Sequence, residues 1–115
     1  MNRDIATLAA LAELIKVREL ADLAVRLADR RRIEAEIEAL HIQGQKTGNR
    51  LPDTPARIAA AEDLWAGWSE GRLADLTGEA ARAAAKSETA LAAARRAFGR
   101  AQALHQIAIR TDKPR

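Results

Sequence analysis

Side chains able to do chemistry are few in this chain, and their spacing keeps them apart. Two histidines, His41 and His105, and three glutamates, Glu34, Glu36 and Glu38, are the groups to weigh. A metal needs ligands that converge on one point. His41 belongs near the middle of the chain and His105 near its end, so a single hairpin cannot bring them together. Glu34, Glu36 and Glu38 alternate around a helix and read as a solvated face, not as a pair of carboxylates for acid–base work. No serine or threonine lies in a nucleophile motif, and no glycine-rich loop follows a strand. The expectation is a non-enzyme with no catalytic, cofactor-binding or metal-binding residue.

What remains is contact chemistry. Arg30, Arg31 and Arg32 read first as helix surface carrying ion pairs. Arg30–Glu34 and Arg32–Glu36 are four apart and contribute ~0.3 kcal/mol each; binding of a phosphate or an acidic partner is the competing reading. Trp65 and Trp68, three apart, either fill a helix interface or present a docking pair. Near the end of the chain Phe98, Leu104, Ile107 and Ile109 alternate with Arg95, Arg96 and Arg100. That mixture of apolar and basic residues suits a protein surface, supplied either by a second copy or by a different partner.

Composition shows what must position them. Of 115 residues 28 are alanine, three are aromatic and none is cysteine or tyrosine. A globular core needs large side chains to fill its volume, whereas an alanine-rich chain with 30% charged residues reads as long helices. Without cysteine there is neither a disulfide framework nor a thiolate zinc site. Glu13, Lys16, Arg18 and Glu19 interrupt the apolar start, which excludes a signal-peptide core, and no run of 18 apolar residues exists to span a membrane. The expected compartment is the cytoplasm, with the periphery of a membrane complex as a variant. Residues 1–94 carry 13 basic and 15 acidic side chains, a net of −2, while residues 95–115 carry six against one, a net of +5. So small a basic pole offers few phosphate contacts and argues against nucleic acid.

The fold expected is all-α: one long antiparallel two-helix coiled-coil hairpin. Its parts are a helix over 4–43, a tip loop over 44–54, a helix over 55–110 and a basic tail over 111–115. Asn2 or Asp4 suits the first cap. Gly44, Gly48 and Asn49 suit the turn, and Thr54 followed by Pro55 opens the second helix. Ile5, Leu8, Leu11, Leu14, Ile15, Val17 and Leu20 cover more than one stripe, so the start of helix one is expected to meet more than one neighbour. In helix two Ala80, Ser87, Ala94, Ala101 and Ala108 fall on one heptad line, and Ala84, Leu91, Phe98 and His105 on the line four further on. That seam predicts that Leu91→Arg melts the hairpin. Gly67, Gly71 and Gly78 each cost about 1 kcal/mol in a helix and predict a kink or break near 71–78, a bent but continuous helix being favoured. Folding about 48–51 pairs residues whose numbers sum to about 100. Ile33 then lies near Trp65, the arginine triplet lies beside both tryptophans, and everything from Arg96 onward overhangs without a partner.

The order of these features resembles the FliJ-like family of coiled-coil stalk proteins in flagellar and type III export. The features are TLAALAELIKVRELADLAVRL, then AEIEAL, a polar hinge, LWAGW, and an alanine-rich helix with ARRAFGRAQAL. The resemblance implies a non-enzymatic partner of an export ATPase ring that also contacts the export gate and substrate chaperones. The paired termini would insert into the ring, here Ile5–Ile15 with Arg95–Ile109.

Overall fold

The computed structural model describes residues 2–48 and 55–112, and the described chain is two helices with no strand. Helix α1 spans Asn2–Gly48 and α2 spans Pro55–Asp112. The expected two-helix hairpin is what forms. The Asn49 turn and the Thr54 cap lie outside the described residues.

Helix α1 runs past the expected stop at 43. No described glycine takes a positive φ, so Gly44 continues the helix and does not cap it. Pro55 occupies the first position of α2, where a missing N–H costs no helical hydrogen bond. Through Gly67, Gly71 and Gly78 the second helix is unbroken. Thr77 Oγ1 donates to the Leu73 carbonyl at 2.7 Å, the bond of a residue inside a continuing helix. A Cβ added at Gly67 or Gly71 would meet nothing within 4 Å. These glycines therefore weaken the helix with no compensating contact in the chain. Replacing both with alanine is expected to raise stability by about 1 kcal/mol per site, read from urea unfolding; a loss of stability would mean that the glycines accommodate a hidden contact.

Two compact units make up the hairpin: residues 1–28 with 85–115, and residues 29–84. In the second, Ile33, Leu76 and Ala83 form a buried cluster, with Ile37, Leu40 and Ala80 packed against it. Among the described residues Leu76 is the one large side chain buried essentially completely, at 1% exposure. Glu36 bridges the two helices here, accepting from Arg72 at 2.8 Å.

In the first unit the α2 side of the interface is made of Ser87, Ala90, Ala94, Ala97 and Ala101, all buried. Spacings of three and four carry this line on from Ala83, the pattern of a heptad seam. The line through Ser87, Ala94 and Ala101 is the expected one. Its companion is three residues on, not four: Ala90 and Ala97 are inside, whereas Leu91 is half-buried and Phe98 is 52% exposed. Small residues on both lines let the backbones approach closely, and the bulkier line is left at the flank.

The pairing differs from the expected register. Lys16 meets Phe98 and Glu36 meets Arg72, pairs whose numbers sum to 114 and 108. The overhang from Arg96 onward therefore does not exist. Phe98, Ala101 and His105 share a recess with Ala9, Glu13 and Lys16. Trp65 sits beside Leu40, His41 and Gly44, not beside Ile33 or the arginine triplet. Alanine layers are alike from one heptad to the next and give no signal that fixes the register.

Candidate protein-docking surface

On α1 the residues turned toward α2 in the first unit recur at spacings of four and three: Ile5, Ala9, Ala12, Lys16, Glu19, Leu23 and Arg26, all buried or half-buried. Five of these seven are small or charged. Lys16 lies along the alanines, pairs with Glu13 Oε1 at 2.6 Å and places Nζ 5.4 Å from the Phe98 ring centre; its aliphatic stem covers apolar surface while the charge stays satisfied.

With the seam occupied in this way, the large apolar side chains of the same helix face outward. Leu14 is 68% exposed, and Leu8, Leu11, Ile15, Val17, Leu20 and Val25 are exposed with it. Single exposed leucines need no explanation, but seven large apolar side chains within eighteen residues do. On one flank Leu8, Leu11 and Ile15 join Ala97, Ala103 and Leu104 in an apolar groove that Arg100 also lines.

The residues proposed from sequence for this end distribute over α2 as follows. Arg95, Arg96, Arg100, Ile107 and Ile109 are exposed and Leu104 is half-buried. Neither Arg95 nor Arg96 forms an ion pair among the described residues, so this edge of α2 carries uncompensated positive charge.

The second unit holds the other proposed residues. Arg30 donates to Glu34 at 3.0 Å and Arg32 to Glu36 at 2.8 Å, the expected i,i+4 pairs, and Arg32 also donates to Asp29 at 3.0 Å. The hydrogen bond to Asp29, and then the nearby carboxylate charges, hold the Arg32 guanidinium above its ordinary pKa. Arg31 is exposed. No arginine lies over an indole among the described residues; the ring centres of Trp65 and Trp68 are 5.2 Å apart at a tilt of 34°, with Trp65 half-buried and Trp68 57% exposed. His41 and His105 line separate recesses, each in its own unit.

Sequence reasoning saw too many apolar residues for one stripe on α1 but did not assign the surplus to a face. The structure assigns it: the heptad phase of α1 that carries the largest side chains is not the one that packs on α2.

No protein-family model, curated protein or solved structure matches this chain.

Proposed function

We propose that the chain is a non-catalytic helical hairpin that works by docking another protein at its termini end, as an accessory of a flagellar or type III export ATPase. One observation carries the docking reading: in the unit formed by residues 1–28 and 85–115 the seam is closed by small side chains while large apolar ones and arginines point outward. Desolvated apolar anchors ringed by charge are what a protein interface uses. The partner's identity rests on the ordered sequence pattern alone. The contact would be made by Arg95, Arg96 and Arg100 with Phe98 and Leu104, and the occupant would present carboxylates.

The test is Arg95→Glu with Arg96→Glu. Both side chains are exposed, so helical circular dichroism should be unchanged while co-purification of the export ATPase falls at least tenfold, as expected for reversed charge at an interface. Undiminished co-purification removes this contact surface.

A second reading, self-association with no ATPase partner, is favoured by a different face: the outer side of α1, which the α2 arginines do not reach.

A further inference from the structure

We infer that two copies of this chain pair through the outer face of α1, the two α1 helices running parallel and in register. The inference rests on the self-association reading and adds the face, the orientation and the residues.

Ala10, Leu14, Val17, Ala21, Ala24 and Ala28 recur at spacings of four and three and are all exposed. At ~100° per residue they lie roughly 140° around the helix from the row that packs on α2. They therefore form a second heptad seam with no occupant in the monomer. No charge interrupts it over these nineteen residues.

The flanking positions select the occupant. In a parallel pair, a residue on one flank faces the residue five further on in the other copy. This sets Glu13 opposite Arg18 of the second copy, and the two-fold axis repeats the contact. The next such pair is Leu20 with Val25, 45% and 64% exposed. The preceding one is Ala6 with Leu11, which is 52% exposed. These three flank pairs are matched, charge to opposite charge or apolar to apolar; the next, Leu27 with Arg32, falls at the end of the seam and is not. An antiparallel pair sets like flanks together and gives Glu13 no arginine. Arg18 forms no ion pair among the described residues, and Lys16 engages one oxygen of Glu13. Stoichiometry follows from side-chain size: alanine layers close a two-helix seam but would leave a channel at the centre of four helices.

Light scattering at tens of micromolar should give twice 12.5 kDa. Val17→Glu should give the monomer mass with its helical spectrum retained, because Val17 is 56% exposed and does not touch the hairpin seam. Glu13→Arg should weaken the dimer about tenfold, and adding Arg18→Glu should restore it. The chain has no cysteine, so Ala10→Cys and Ala24→Cys report orientation. Each should cross-link to itself on oxidation, and a mixture that prefers the hetero pair would overturn the parallel arrangement. A monomer mass for the unmodified chain overturns the inference. A monomer that still captures the export ATPase leaves the docking reading standing, and a dimer that captures nothing does the reverse.

Discussion

Ala94→Arg is expected to unfold the termini end of the hairpin, at a cost of about 3–5 kcal/mol. Ala94 is 4% exposed and faces α1 between Ala90 and Ala97. An arginine there must either bury a charge without a partner or push the helices apart, and both penalties act at once because alanine leaves no slack. The position sets this magnitude, and arginine's own character does not. Leu91→Arg introduces the same group three residues earlier on a half-buried flank, where the long stem can lie on the surface and the charge reach water. Its cost should be about 1 kcal/mol. Thermal melts of the two variants, followed by far-ultraviolet circular dichroism, separate the two lines. Equal destabilisation by both would put the bulkier line back inside the seam.

The second large effect belongs to the other unit. Leu76→Ala should cost about 2–4 kcal/mol, the range for a fully buried leucine whose site cannot collapse. Ile33, at 3% exposure, is packed in the same cluster. Ile33→Ala and Leu76→Ala should therefore be non-additive, with a coupling above about 0.5 kcal/mol in a double-mutant cycle. Leu64→Ala is the control: Leu64 is 76% exposed, so its loss should shift stability by less than about 0.5 kcal/mol. Strict additivity of the first pair would deny that they share a cavity.

Much of the fold could be read from the residues alone. Abundant alanine, the scarcity of aromatics and the single polar break at 44–54 lead directly to two long helices. Pro55 marks the start of the second, and the line of Ser87, Ala94 and Ala101 marks its buried face. The companion line was misread for a physical reason. From any heptad position, steps of three and four both reach a plausible neighbour, and the choice went to leucine and phenylalanine because large side chains usually fill interfaces. Here the interface is close-packed alanine, so size pointed the wrong way. Register was illegible for a related reason: a seven-residue slip replaces alanine with alanine or serine. The Ile33–Leu76 cluster, the Glu36–Arg72 bridge and the Lys16–Phe98 contact fix it, and none of these pairings is visible without coordinates. Through the glycines Gly67, Gly71 and Gly78 of α2 the helix is continuous, as favoured. Each weakens the helix by about 1 kcal/mol, but an interruption would leave several backbone groups without partners at each new end.

The exposure of the proposed contact residues was legible in part. Arg95, Arg96, Phe98, Arg100, Ile107 and Ile109 are exposed and Leu104 is half-buried, although no overhang displays them. The exposed α1 face was legible only as an excess of apolar residues over one stripe.

The placement of Trp65 and Trp68 makes the two units spectroscopically distinct. With no tyrosine in the chain, near-ultraviolet emission comes almost wholly from residues within 29–84, whereas backbone dichroism averages over both helices. Heating curves recorded by the two signals will superimpose if the hairpin melts in one cooperative step. If the alanine seam frays first, ellipticity will fall while the indole emission still reports an intact environment.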